Sequence, residues 1–559
     1  MTRIPYPRWA VVLSAVALLA PALAVGPAAA ADDRRSVAVV RTDQGAVRGT
    51  VAARHLSFQG IPYARPPLGA LRWAAPRPGP VWTGVRDATR PGAACAQLQG
   101  LPMDHASAAE DCLHLNVTTP RTAARTPRPV MMWLHGGDFR FGRGDVYDGR
   151  RLAADGDVVV VTVNYRLGAL GFLAHPALAG PDGVTGNFGL QDQQAALRWV
   201  RHNVAAFGGD PGNVTLFGQS AGATSVCAHL AAPGSAGLFH RAILQSNSCA
   251  NPVQTRAEAA RTAEEFAQNI GCTDPATVAT CLRGREPGRL VATAGYPGAG
   301  VDLGPVVDGR TLPVDPAAAL AAGRLHPVPV LTGMNRDESR LVVWGMERSG
   351  LYCPEPEPEP GPEPGLGSGS GSEPASEPAP TPGDEAESCP LTDDQYRDQV
   401  RGMFGDRAEE VLARYPRKDT QFPSETLGAV LTDHDYAEPI YSAALAFARR
   451  VPTYLYEFAD DDAPFFVEGP ESTFPTGAYH CAELPYLFTV DYAEALTPAQ
   501  QRLADDMVRA WSDFARTGRA GWPRLHGAAP YVRVFADGGA SGTTSFAAAH
   551  SYDFWRSLR

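Results

Sequence analysis

The chain has 559 residues, 44% of them hydrophobic, which is ample for a large buried core. Its net charge of −11 is not a global property. Pro354–Ser388 holds eight Glu, one Asp and no basic residue, so it carries −9 and leaves about −2 for the rest. No basic patch remains to support nucleic-acid binding.

The first thirty residues read as a secretory signal peptide. Arg3 and Arg8 form a basic leader, Trp9–Val25 an apolar run, and Ala28–Ala30 a small-residue cleavage site near Ala30. The run is short and broken by Pro21 and Pro27, which disfavours a retained membrane anchor. Export makes the nine cysteines potential disulfides. Proximity suggests three closed loops: Cys95 with Cys112, Cys272 with Cys281, and Cys353 with Cys389. Cys227 reads as a small buried hydrophobe inside a helix.

Ser36–Val51 alternates apolar and polar residues around Gly45, as a hairpin does. Phe58–Ala64 and the following Pro66, Pro67 and Gly69 are rich in proline and glycine, which predicts an ordered loop. Pro129–Leu134 and Val158–Asn164 are continuous apolar runs, as in the buried strands of a parallel sheet. The first runs into His135-Gly136-Gly137-Asp138, where a glycine pair lets backbone N–H groups turn toward a ligand.

Gln191–Val204 is an amphipathic helix. It delivers the chain to a strand, Val214–Phe217, and then to Gly218-Gln219-Ser220-Ala221-Gly222. A helix follows over Ala223–Ala232. Strand, sharp turn and helix form the context in which a G-x-S-x-G motif exposes a nucleophilic serine. The dipole and free N–H groups of that helix point at any anion formed beside Ser220. Ala242–Gln245, Val328–Thr332 and Tyr454–Phe458 are further strands.

Pro354–Ser388 is Pro-Glu, then Gly-Ser, then Pro-Ala-Glu, and it cannot bury apolar surface. It is expected to be disordered, a surface insert within one catalytic domain spanning 31–559. Thr497–Gln500 is a capping box with proline at the first helical position. Leu503, Met507, Ala510, Trp511 and Phe514 mark one face of the helix that follows.

Taken together, these stretches resemble the type-B carboxylesterases, the cholinesterase-like branch of the α/β-hydrolases. The matching segments are Phe58–Gly69, Glu110–Val117, His135–Phe139, Val163–Phe172, Gly186–Gln193, Phe207–Gly222, Arg336–Glu338 and Gly477–Pro485. The resemblance implies one large α/β domain, an α/β-hydrolase with a mostly parallel sheet and helices on both faces. It also supports the Cys95–Cys112 and Cys272–Cys281 pairs.

It further implies a Ser220–Glu338–His480 triad in the chain order usual for this fold. Ser220 would be the nucleophile, His480 the base and Glu338 the residue that orients the imidazole, with Asp337 passed over. The backbone N–H groups of Gly137, Asp138 and Ala221 would hold an oxyanion. The expected reaction is hydrolysis of a small carboxylic ester through an acyl-serine intermediate, with no metal or other cofactor.

Two positions depart from the family pattern. Asp138 stands where a small residue is usual; its side chain either turns away into a hydrogen bond or helps to activate water. Cys481 follows the histidine where glycine is usual; it is either a reactive thiol or, as preferred, a disulfide partner of Cys249. Glu483 and Ser246 are expected near His480. The Cys95–Cys112 loop has no aromatic residue, whereas cholinesterases carry a tryptophan there that binds quaternary ammonium. A broad short- to medium-chain esterase therefore fits better than a choline esterase. A lipase for longer acyl esters and a non-catalytic binding protein on the same fold are the rival readings.

Overall fold

A computed structural model describes residues 37–101, 105–180, 183–295, 301–353, 388–467, 471–526, 530–536 and 538–559. The leader and residues 354–387 of the acidic insert lie outside the described residues.

The fold is built on a 13-stranded sheet. In chain order its principal strands are β1 (Val37–Arg41), β2 (Ala46–Val51), β3 (His55–Pro62), β4 (His114–Pro120), β5 (Arg128–Leu134) and β6 (Val159–Val163). They continue with β7 (Gly209–Gln219), β8 (Arg241–Gln245), β9 (Val330–Asn335), β10 (Thr453–Ala459), β11 (Val532–Ala536) and β12 (Gly539–Thr543). Their spatial order is β1-β2-β3-β4-β6-β5-β7-β8-β9-β10-β11-β12, and a short strand, Val85–Asp87, flanks β2. The block from β6 to β11 is parallel throughout, with antiparallel strands on both sides of it.

Parallel strands covered on both faces must be apolar on both faces, and β5, β6 and β10 are buried along their whole length. Alternate residues serve two different cores. Val130, Met132 and Leu134 of β5 face one core, and Met131 and Trp133 face the other. β6 repeats the pattern, with Val159, Val161 and Val163 on the first side and Val160 on the second.

The helices that bear on the site are α1 (Phe188–Asn203), α2 (Ala221–Ala231), α3 (Glu438–Ala448), α4 (Pro498–Thr517) and α5 (Tyr552–Leu558). The first two pack on the first core, while α4 packs on the second through Leu503, Met507, Trp511 and Phe514. Thr497 caps α4: its hydroxyl accepts from Gln500 N, and Gln500 Oε1 accepts from Thr497 N. No helix among the described residues is long and apolar enough to cross a membrane.

The predicted loop at Phe58–Ala64 is corrected in its first half. Residues 58–62 belong to β3; Gly60 is absorbed by a register shift against β4 between Phe58 and Ile61, and Pro62 pairs with His114 as the last residue of the strand. Four disulfides form: Cys95–Cys112, Cys227–Cys249, Cys272–Cys281 and Cys353–Cys389. The second overturns two expectations. Cys227 is not an apolar filler, and Cys249 is taken by α2 rather than by Cys481. The cause is topological: β7 and β8 are parallel neighbours, so the turn after β8 returns beside the helix that β7 launches. Cys481 is buried and stands outside the four bonds.

Candidate active site

β5 lies between β6 and β7, so successive connections leave it in opposite directions. The crevice beyond the strand ends at such a reversal is the usual binding place of an open α/β sheet. His135–Asp138 leave the end of β5 there, and Ser220 leaves the end of β7.

Ser220 has φ 57° and ψ −126°, a conformation rarely held by a residue with a side chain, and it caps α2. The turn is fixed from both sides. Ser220 N donates to Gln245 O of β8 at 2.9 Å, and Thr224 N donates to Ser220 O at 3.0 Å. Gly222 permits the close approach of α2 to β5, because a Cβ there would collide with the Leu134 carbonyl. Left-handed φ recurs around the cleft, at 97° for Gly137, 51° for Asp138, 57° for Phe139 and 71° for Cys481.

Glu338 follows β9 and is fully buried. Its Oε1 accepts Asn335 N at 2.8 Å, and its Oε2 lies 2.6 Å from His480 Nδ1. His480 N in turn donates to Glu338 O at 3.1 Å, so the two loops are joined by backbone as well as side chain. Burial draws the His480 pKa down, but the Glu338 carboxylate, its hydrogen bond and the nearby Glu483 hold it above the ordinary value.

A cleft of about 610 Å³ brings Gly137, Asp138, Ser220 and His480 together. Leu101, Phe141, Tyr147, Cys481 and Leu484 supply most of its remaining wall. Ala221 opens α2 directly behind Ser220, and its N–H precedes the first intrahelical donor, Thr224. The Asp138 carboxylate turns to Arg140, whose Nε donates at 3.2 Å. Arg140 also donates to the carbonyls of Ala294, Gly295 and Val301, which pins the loop to the body of the domain.

Glu483 is buried behind the histidine and bonds Gln245 Nε2 and Asn335 Nδ2, each at 2.8 Å. Burial, reinforced by Glu338, raises its pKa. The Ser246 hydroxyl is buried and has no hydrogen-bond partner among the described residues.

Three neighbours escaped the sequence reading. The Gln219 carboxamide nitrogen lies 3.0 Å from His480 Nε2, and the Tyr436 ring packs 5.5 Å from the imidazole. Asn335 bridges Glu338 and Glu483. Gln219 and Asn335 sit inside or beside recognised motifs, at positions those motifs leave variable. Nothing local marks Tyr436. Among the described residues, no group of three or more His, Cys, Asp or Glu side chains is arranged to hold a metal ion.

A model of the Carboxylesterase family matches residues 36–531. The chain belongs to the carboxylesterase family. It is similar to para-nitrobenzyl esterase of Bacillus subtilis (strain 168), 33% identical over 87% of this chain and 92% of that protein. It is similar to fumonisin B1 esterase of Sphingopyxis macrogoltabida, 34% identical over 90% and 87%, and to cocaine esterase of Oryctolagus cuniculus, 34% identical over 85% and 87%. Among solved structures, a PNB esterase superposes with TM-score 0.70 at 31% identity, covering 93% of this chain and 99% of the other. This carboxylesterase is thus a carboxylic ester hydrolase of the α/β-hydrolase fold.

Proposed function

We propose that this carboxylesterase is an exported enzyme that cleaves carboxylic esters through an acyl-serine intermediate, with Ser220 as nucleophile, His480 as base and Glu338 as its orienting acid. The observation that carries the reading is the shared cleft. Ser220 stands on a strained turn at the head of α2, facing a histidine whose Nδ1 is 2.6 Å from a buried carboxylate.

A serine hydroxyl attacks a carbonyl only when a base removes its proton. His480 Nε2 takes that proton as Ser220 Oγ bonds to the ester carbon. Glu338 keeps the Nδ1 proton in place and stabilises the imidazolium. The N–H groups of Gly137, Asp138 and Ala221 receive the oxyanion, each such donor being typically worth about 10²–10³ in rate. His480 then returns the proton to the departing alkoxide, and water repeats the sequence on the acyl-enzyme.

Substrates are small esters of short to medium acyl chain, accommodated by the largely apolar wall of Leu101, Phe141, Tyr147 and Leu484. The names of the relatives, which cite para-nitrobenzyl, fumonisin B1 and cocaine esters, support a broad range. Export is supported by the leader sequence and by four disulfides, which persist in oxidising compartments. Residues 31–559 act as one catalytic domain into which the acidic segment is inserted.

Mass spectrometry after a fluorophosphonate probe tests the chemistry, with p-nitrophenyl acetate turnover in parallel. One adduct on the Ser220 peptide is expected, lost together with turnover in Ser220→Ala. Labelling elsewhere, or turnover surviving in that variant, would overturn the reading. Amino-terminal sequencing of exported protein should find the mature chain beginning near Ala31.

A further inference from the structure

The proposed mechanism leaves one contact unexplained. His480 Nδ1 faces the Glu338 carboxylate, which can only accept, so the proton sits on Nδ1 and Nε2 presents a lone pair. The group on that lone pair is the Gln219 carboxamide nitrogen at 3.0 Å. Among the described residues, no hydrogen bond joins the Ser220 hydroxyl to His480.

The contact is built into the fold. Gln219 ends β7, is 3% exposed, and pairs in register with Gln245 of β8. Its side chain lies in room left by Gly136. A Cβ on Gly136 would come within 2.8 Å of Gln219 Oε1 and 3.1 Å of Ser220 Cβ, so the carboxamide would have to shift. The other groups around the imidazole are Glu338 at Nδ1, Glu483 behind it, the Tyr436 ring at 5.5 Å, Cys481 next in the chain, and Asp138 across the cleft. Of these, Glu338, Glu483, Tyr436 and Asp138 make no hydrogen bond to Nε2 among the described residues.

Building on the serine–histidine reading above, we propose that Gln219 is a latch on His480: it holds the basic nitrogen at rest and yields it to the Ser220 hydroxyl when an ester enters. Two donors cannot share one lone pair, so activation of Ser220 requires the carboxamide to move. Gln219 is therefore a positioning residue that competes with the nucleophile for His480 Nε2.

The test compares wild type, Gln219→Met, Gln219→Glu and Ser220→Ala. The readouts are the pH profile of kcat/KM on p-nitrophenyl acetate and the rate of fluorophosphonate labelling. Methionine keeps the length and removes the donor, so the neutral imidazole loses a stabilising bond. The acid limb should rise by about half to one pH unit, and labelling well above the limb should quicken by about two- to tenfold. Glutamate can only accept, favours the imidazolium and should raise the limb further. An unchanged limb and labelling rate in Gln219→Met, with Ser220→Ala inert, overturns the latch alone. Turnover or labelling in Ser220→Ala overturns the underlying serine reading instead. Should Gln219→Met fail to fold, an unshifted limb in the near-isosteric Gln219→Glu overturns the latch equally.

Discussion

Glu338 and His480 stand 142 residues apart in the chain, yet Oε2 of one lies 2.6 Å from Nδ1 of the other. They meet because β9, which carries Glu338 at its end, is paired along its whole length with β10, and the histidine loop folds back over that pair. Asn335 at the end of β9 holds the free carboxylate oxygen, so the acid cannot rotate away from the ring.

Replacing Glu338 by Gln keeps the size and removes the charge. The amide can donate to Nδ1 and so select the wrong tautomer. We expect kcat to fall by about 10³–10⁴, as removal of the orienting acid does in serine hydrolases. Steady-state kinetics on p-nitrophenyl acetate, with circular dichroism to verify folding, measures this.

With His480 as the proposed base, the acid limb of kcat/KM should lie above the ordinary histidine value of about 6.5, because only the neutral imidazole accepts a proton and its pKa is raised. Activity is then lost as pH falls through that elevated value. Residual activity of Glu338→Gln should show the limb displaced downward, since the charge that raises it has gone and burial remains. The opposite displacements expected for Glu338→Gln and Gln219→Met make the two roles separable in one set of pH profiles.

A second histidine has a stability role. His550 is buried between Asp433 at 2.6 Å and Glu457 at 2.7 Å. Burial alone would lower its pKa, but the two carboxylates push it up to about 10. The folded value exceeds the unfolded one, so the stabilisation is complete below about pH 6.5 and is lost as pH rises through about 10. Urea midpoints of the wild type should fall across that window. His550→Gln should cost about 3–5 kcal/mol at neutral pH, because two buried carboxylates lose their cation. It should also lower kcat: Asp433 begins the π-turn Asp433–Ala437, which carries Tyr436 against His480.

Asp138→Gly should leave acylation, deacylation and reactivation after organophosphate treatment nearly unchanged. The carboxylate is 56% exposed and engaged with Arg140 rather than held over Ser220. Buried Arg140 keeps its bonds to three carbonyls without Asp138, and glycine relieves the left-handed backbone at φ 51°. A slowed deacylation in stopped-flow measurements would restore a role for Asp138 in handling water.

What the sequence made legible was local. The strand, turn and helix around Ser220 follow from an apolar β-branched run, flanking glycines and a small-residue helix, all within twenty residues. Six of the seven strands of the parallel block were readable because burial on both faces makes them mostly apolar, while β11 was not read from the sequence. What escaped was set by topology. The Cys227–Cys249 bond depends on β8 lying beside β7, and the Asp433–Glu457–His550 cluster joins three distant segments that no periodicity links. Residues 58–62 escaped for a different reason: a bulge accommodates Gly60 inside the strand, and Pro62 comes only at its end. Gln219 was in plain view within the motif, but its importance lies in the His480 nitrogen it meets, 261 residues away.

The Cys353–Cys389 bond holds its two α-carbons 5.0 Å apart across a sequence separation of 36. The two ends of the acidic segment are therefore held at a single point, and the spacing of the strands and helices on either side need not depend on how much polypeptide is spliced between. The site is a natural docking port for engineering. A reporter or affinity domain with adjacent termini could replace the acidic segment there, and the segment could equally be shortened to a few residues, without altering the spacing of Ser220, Glu338 and His480.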